Sequence, residues 1–114
     1  MGEERDLLDS LLMELRRGTL VLSVLSQMGE KKYGYALVQS LEEKGISMDP
    51  NTLYPLLRRL EKQGLLASAW ETGGSKPRKY YQITPYGQEI YQKLKAQWEE
   101  MVAAMERLLQ EEDV

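Results

Sequence analysis

Apolar side chains recur at helical spacing in the first quarter of the chain. Residues 4–17 place leucines three and four positions apart, which predicts an amphipathic helix. Residues 20–28 are apolar on nearly all sides, as a buried helix would be. Gly18 can end the first helix and Thr19 can cap a second, so the pattern predicts either two helices here or a single kinked one.

Two further helices follow, joined by a short link. The first is predicted over 34–44. The second is predicted over 50–63, with Asp49 as its N-cap, Pro50 at the first helical position and Gly64 as its end. Two helices joined this way, the second well capped, are typical of a helix-turn-helix.

The pattern then changes from helical spacing to alternation. Residues 66–72 alternate in side-chain type, and 79–84 are aromatic and β-branched, which predicts two antiparallel strands. Gly73-Gly74-Ser75 supplies the turn, and the basic stretch 76–78 begins the return strand. We call this predicted hairpin the wing. The fold class is therefore predicted as mainly α with a two-stranded β-wing (α+β): a winged helix-turn-helix followed by a long C-terminal helix.

The last helix is predicted from Pro85 to about Glu111. As in 50–63, a polar N-cap residue, here Thr84, is followed by proline at the first helical position. Its apolar residues follow a heptad spacing without a miss, and we call them the C-terminal seam: Tyr91, Leu94, Trp98, Met101, Met105 and Leu108. The helix is too long to be covered by a small domain, which favours a dimerisation helix; packing within one chain is the alternative. We accordingly divide the chain into a DNA-binding unit, 1–84, and a dimerisation unit, 85–114.

Charge is distributed unevenly along the 114 residues. The chain as a whole carries −3, whereas residues 50–82 carry six basic against two acidic side chains, or +4. Attraction to phosphate acts over about a Debye length, roughly 8–10 Å, so binding to nucleic acid depends on the local charge and not on the net charge of the chain. The second helix of the motif and the wing therefore form the one positive segment of an acidic chain.

Composition excludes several classes of chemistry. The chain has no cysteine and no histidine, which excludes disulfides, thiolate nucleophiles, zinc sites of the Cys/His type and Ser-His-Asp catalysis. We expect no cofactor, no metal and no enzymatic activity. No apolar run approaches the ~20 residues of a membrane span and no secretory signal pattern is present, so a cytoplasmic protein without membrane contact is expected.

A winged helix reads DNA by placing one helix in the major groove and the wing on the adjacent phosphates. With the leucines of 50–63 turned inward, the outward face carries polar and basic residues, of which Arg58 can fork onto guanine. Strand alternation places Arg78 and Lys79 on opposite faces, and Lys76 and Lys79 are favoured over Arg78 for phosphate. The predicted DNA contacts are Tyr35, Asn51, Thr52, Tyr54, Arg58, Lys76, Arg78 and Lys79.

These residues resemble a known family. Over about 20–110 the chain is similar to PadR-family transcriptional regulators, specifically the short subfamily with a single C-terminal helix. The matching stretches are Tyr33-Gly34-Tyr35, Thr52 to Leu66 (TLYPLLRRLEKQGLL), Arg78-Lys79-Tyr80-Tyr81 and Thr84-Pro85-Tyr86-Gly87. The resemblance implies a cytoplasmic homodimeric repressor that binds a palindromic operator in double-stranded DNA, with the last helix exchanged across the dimer.

The resemblance also implies a role for Trp98. In small multidrug-sensing members a tryptophan at the corresponding place faces its symmetry mate and binds planar aromatic compounds. Met101 and Val102 lie beside Trp98, and Leu15 and Leu22 would line the other side. The competing interpretation is that these residues only fill the dimer core. For the whole chain, the alternative is a winged-helix protein-interaction module without sequence-specific DNA reading or ligand response.

Overall fold

The computed structural model describes residues 2–111, which form five helices and three short strands. In chain order they are α1 (Gly2–Arg17), α2 (Leu20–Ser26), β1 (Lys32–Tyr33), α3 (Gly34–Glu43), α4 (Pro50–Lys62), β2 (Leu66–Glu71), β3 (Arg78–Ile83) and α5 (Pro85–Gln110). Met1 and residues 112–114 lie outside the described part, and so does that end of the predicted unit 85–114. The mainly helical winged fold is confirmed.

Between residues 4 and 28 the chain forms two helices, not one kinked helix. The break falls at Gly18-Thr19, as one of the two interpretations predicted. Thr19 is the N-cap residue of α2, as predicted, but its side chain makes no cap hydrogen bond to that helix. Instead Thr19 Oγ1 donates to the carbonyl oxygen of Arg16 at 2.8 Å and so completes the end of α1.

The starts of α4 and α5 follow the sequence closely. Asp49 Oδ1 accepts a hydrogen bond from the backbone N–H of Asn51 at 2.8 Å, and Pro50 occupies the first turn. Thr84 repeats the arrangement for α5, accepting from the N–H of Gly87 at 2.9 Å. Each cap satisfies a backbone donor that the helix itself cannot.

The ends of α3 and α4 depend on glycine. Gly45 and Gly64 have φ of +92° and +81°, a region that side-chain-bearing residues rarely adopt. After α4, the N–H of Leu65 donates to the carbonyl oxygen of Leu60 at 2.9 Å and that of Gly64 to Glu61 at 3.0 Å. This pair of bonds is the Schellman arrangement, and it turns the chain directly from α4 into β2.

The sheet has three strands, not the two predicted, in the order β1-β3-β2 with antiparallel pairing. The additional strand is β1, where Lys32 lies opposite Tyr81 and Tyr33 opposite Tyr80. The sequence indicated only a turn after Gly29, because two residues are too few to show alternation and their partner strand lies far along the chain.

The core lies between α2, α3, α4 and the sheet. Its buried residues are Val24, Leu25, Met28, Leu37, Leu41, Met48, Leu53, Leu56, Leu57, Leu60, Leu65, Leu66 and Tyr81. The beginning of α5 joins this core through the half-buried Ile90 and Tyr91. By contrast, α1 buries no residue, and the later turns of α5 leave large apolar side chains exposed. Within residues 2–111, no helix is both long enough and apolar enough to cross a membrane.

Candidate nucleic-acid interface

A groove of about 1000 Å³ separates the first turns of α3 and α4 from the wing. Its lining combines aromatic rings with basic side chains and the glycine-rich tip. It includes Tyr33, Tyr35, Tyr54, Arg58, Trp70, Glu71, Lys76, Arg78 and Lys79. Six of the eight predicted DNA-contacting residues therefore line one concave surface.

The remaining two, Asn51 and Thr52, lie in the exposed first turn of α4. The helix is oriented by its opposite face, where four leucines are at most 8% exposed. That burial leaves Asn51, Thr52 and Arg58 on the solvent side. The exposed face of α4 thus presents amide, hydroxyl and guanidinium groups, which are the groups that contact base edges and phosphates.

Tyr54 has a structural role in addition to its place in the groove. A Cβ on Gly34 would lie 2.5–2.8 Å from the ring and hydroxyl of Tyr54, so the tyrosine packs against the backbone at the start of α3. Tyr35, one residue on, is exposed and stacks parallel to Tyr33, with ring centroids 5.9 Å apart. The start of α3 and the exposed face of α4 therefore contact each other directly.

The three predicted wing cations have different surroundings. Lys76 is exposed at the tip. Lys79 Nζ lies 3.6 Å from a carboxylate oxygen of Glu61 on α4, and the same carboxylate accepts a hydrogen bond from Ser68 Oγ at 2.5 Å. Arg78 is on the other face of the strand, as alternation predicted, and its guanidinium lies 5.6 Å from the centre of the Tyr33 ring. The sequence did not indicate this ion pair, because Glu61 lies in a different element, eighteen residues before Lys79.

Tyr33 and Glu71 form a second contact that the sequence did not indicate. The phenol hydroxyl of Tyr33 donates a hydrogen bond to the carboxylate of Glu71, the last residue of β2. This hydrogen bond, reinforced by the negative charge of Glu71, raises the pKa of Tyr33. No local pattern would have found the pair, because β1 itself was not predicted.

Trp70 was also missed as a groove residue. It lies on β2 opposite Lys79 and is 63% exposed, a large area for a tryptophan on a strand. Its alternation with small residues was used only to predict the strand. Trp70 therefore adds an exposed aromatic side chain to a groove that is also lined by four basic residues.

None of the five residues predicted to bind a ligand lines this groove. Trp98 and Met101 lie on α5 and are 44% and 63% exposed, while Val102 is half-buried. Leu15 lies on α1 and is 74% exposed, and Leu22 is half-buried on α2.

Comparison with known proteins gives consistent matches. Residues 21–102 match the Transcriptional regulator PadR-like family. The chain is 35% identical over 77 residues to the transcriptional regulator Rv3488 of Mycobacterium tuberculosis, covering 67% of this chain and 72% of that protein. It resembles the crystal structure of a PadR family regulator from Eggerthella lenta, with a TM-score of 0.88, 53% identity and coverage of 96% and 97% of the two chains.

The fold also matches that of Bacillus subtilis PadR, whose crystal structure is in complex with operator DNA. That match has a TM-score of 0.62 and 21% identity, and covers 67% of this chain and 45% of that one.

Proposed function

Since this chain belongs to the PadR-like family of transcriptional regulators, which are not enzymes, we propose that it is a dimeric repressor that binds a palindromic operator. The observation that carries the proposal is the groove between α4 and the wing, which joins the helix face and the basic hairpin into one surface. The fold match to a protein in complex with operator DNA supports the same use of the surface. A repressor of this kind acts where the chromosome is, in the cytoplasm.

We assign contacts in the groove and on the adjoining exposed face of α4 from the position of each side chain and from the partners it already has. Asn51 and Thr52 read base edges from the first turn of α4, and Arg58, two turns further along, is the candidate for a forked contact to guanine. Lys76 and Arg78 contact phosphates. Lys79 takes a lesser part than the sequence suggested, because Glu61 already pairs with its ammonium group.

Exposed apolar surface supports the dimer. Five large apolar residues of α1 are more than half exposed, and five of the six C-terminal seam residues are at least 38% exposed. A monomer would leave both surfaces in water, at a cost of roughly 25 cal/mol per Å² of apolar area. A second copy of the chain, related by a two-fold axis, can cover them reciprocally. We therefore retain 85–114 as the dimerisation unit and 1–84 as the DNA-binding unit.

The dimer gives the recognition its selectivity. One recognition helix reads only a few base pairs, whereas two related by symmetry read both halves of a palindrome about 34 Å apart. Because α5 begins at the wing and carries the C-terminal seam, its orientation sets the separation between the two grooves.

The ligand response belongs to the same proposal. Two Trp98 rings brought together at a two-fold axis would stack on a planar aromatic compound, with Met101, Val102, Leu15 and Leu22 around it. The dimer can in principle adopt two forms, one with the groove spacing that DNA needs and one with a different spacing. A ligand there lowers DNA affinity only if it binds the second form more tightly than the first. If instead the residues only fill the dimer core, no such compound binds.

The principal test is a gel-shift titration on DNA fragments selected from a random pool, at two salt concentrations. We expect sequence-preferring binding that weakens as salt is raised, because phosphate contacts release counterions. Binding without sequence preference, or none at all, would refute the repressor and favour a protein-interaction module.

Two measurements test the dimer and the ligand separately. Analytical ultracentrifugation should show a dimer, which Leu94→Glu on the C-terminal seam should dissociate; a monomeric wild type contradicts the proposal.

For the ligand, Trp70→Phe leaves Trp98 as the only tryptophan, and planar aromatic dyes should then quench its fluorescence. Unchanged emission across a broad dye panel would mean that Trp98 only fills the core.

A further inference from the structure

The outer part of the wing has little support from the core. Tyr81 is the last buried residue of β3 towards the tip, and Arg78 and its partner Glu71 lie three residues beyond, roughly 10 Å away. β1 covers β3 only at Tyr80 and Tyr81. A two-stranded ribbon on its own is marginally stable, so the direction of the wing depends on side-chain contacts to the rest of the domain.

Two such contacts act on opposite faces of the ribbon. On one face, Glu61 of α4 contacts both strands, through Ser68 of β2 and Lys79 of β3. On the other face, the hydroxyl of Tyr33 donates to Glu71 at the outer end of β2. The Tyr33–Glu71 contact therefore lies nearest to the tip that carries Lys76.

The surroundings of Tyr33 fix the direction of its hydroxyl. Its ring stacks parallel to Tyr35 and meets Tyr80 edge to face, with centroids 6.4 Å apart and planes at 82°. The Arg78 guanidinium lies over the same ring, and residue 78 stands opposite Glu71 in the β2–β3 register. The carboxylate of Glu71 thus accepts a hydrogen bond from a ring that is held in place on two sides.

Tyr33 is also connected to the recognition helix. It immediately precedes Gly34, against whose backbone the Tyr54 ring of α4 packs. A continuous set of contacts therefore runs from Glu71 in the wing through residues 33 and 34 to Tyr54 in α4. Residue 33 lies between the two elements that form the groove.

We propose that Tyr33 is a positioning residue for DNA binding, which acts through its hydrogen bond to Glu71 by holding the wing at a set angle to α4. The proposal rests on the DNA-binding function proposed above. In the free protein this bond keeps the wing in the orientation that the DNA-bound state needs. Without it, the wing must be ordered when DNA binds, and the ordering lowers the affinity.

The decisive variant is Tyr33→Phe, which keeps the ring contacts with Tyr35 and Tyr80 and removes only the hydroxyl. Its matched control is Tyr86→Phe, since the exposed Tyr86 hydroxyl on α5 makes no hydrogen bond within residues 2–111. In the free protein, we expect Tyr33→Phe to speed amide hydrogen exchange in residues 70–79 several-fold while leaving the core amides unchanged. Unchanged exchange in 70–79 would overturn the proposal whether or not the protein binds DNA.

The second readout is the affinity for the selected DNA fragment. We expect Tyr33→Phe to raise Kd about fivefold, the order expected for one partly exposed hydrogen bond to a charged group, and Tyr86→Phe to leave it unchanged. The salt dependence of Kd should stay that of the wild type, because the same phosphates are contacted once the complex forms. A flatter salt dependence would instead mean that a wing cation has lost its phosphate contact in the complex, which would overturn a role limited to ordering the wing before binding.

Glu71→Gln separates geometry from charge, because a glutamine carbonyl still accepts the phenol hydrogen bond. It should keep slow exchange in the wing and should not weaken DNA binding. Fast exchange in Glu71→Gln would contradict the proposal. If the wild type shows no DNA binding, the proposed function fails, while the exchange data still decide whether this bond holds the wing.

Discussion

Gly87 is the residue at which the first turn of α5 packs against the segment before β2, and its replacement by alanine should disrupt both stability and function. A Cβ at this position would lie 2.1 Å from the carbonyl oxygen of Leu65 and 2.7 Å from Ile83 Cγ1. An ordinary Cβ–oxygen contact is longer than 3 Å, so α5 or the start of β2 must move by about 1 Å. Neither partner is the end of a flexible side chain, which makes the strain hard to relieve.

The magnitude follows from overpacking. Adding atoms to a filled site costs about 1–3 kcal/mol, and contact with a fixed carbonyl places Gly87→Ala near the upper figure. For a domain of this size, about 3 kcal/mol lowers Tm by roughly 12 °C or more. The 26 residues of α5 span about 39 Å, so a tilt of roughly 5° at its start moves its far end by about 3 Å. We therefore expect weaker operator binding as well.

The assay is thermal unfolding by circular dichroism at one fixed protein concentration, because the Tm of a dimer depends on concentration. The matched control is Gly2→Ala, a helical glycine of α1 with no atom within 4 Å of the added Cβ. That control should keep Tm or raise it slightly, since alanine favours helix. A Gly87→Ala protein that melts within about 1 °C of the wild type would refute the close approach of α5 to Leu65.

Three further predictions concern the groove and its supports. Asp49→Ala removes the cap of α4 and should cost about 1 kcal/mol, visible as a lower Tm. Arg58→Ala should raise Kd for the operator about tenfold or more and reduce discrimination against other sequences, whereas Lys76→Ala should weaken binding to all sequences alike and reduce the salt slope by about 1. Equal effects of these two variants would contradict the division between base and phosphate contacts. Because the Tyr33 pKa is raised above its ordinary value of 10.0, its protonated form is favoured in the folded state, so the stabilisation is complete below pH 10.0 and is lost as pH rises through the raised pKa. Phenolate absorbance should show one of the seven tyrosines ionising later than the others in the wild type, and this late component should be missing from Tyr33→Phe. If the component lost in Tyr33→Phe ionises together with the other tyrosines, the hydrogen bond to Glu71 is excluded.

Most of the fold could be predicted from the sequence because its boundaries are local. Asp49 caps its own helix two residues away, and Gly64 ends α4 by adopting a backbone conformation that other residues avoid. Hydrophobic spacing separated the inward leucines of α4 from its outward polar face. These signals involve neighbours in the chain, so one stretch of residues contains both partners. Thr19 is the exception. It lies between the end of α1 and the start of α2, and its hydroxyl donates to the Arg16 carbonyl of α1 instead of capping α2.

The tertiary structure decided which of the candidate residues already have a partner within the protein. Lys79 was favoured over Arg78 as a phosphate contact, yet Glu61 pairs with it across the domain. Tyr33 was noted only as part of a motif, yet it supports the outer wing through Glu71. Each of these partners comes from a distant part of the chain, and whether they meet depends on how α4 and the three strands pack together. Sequence spacing determined the elements and the faces they present, because backbone bonds and side-chain periodicity are short-range. The groove and its supports were decided by packing, because bringing distant residues into contact requires the whole core to form first.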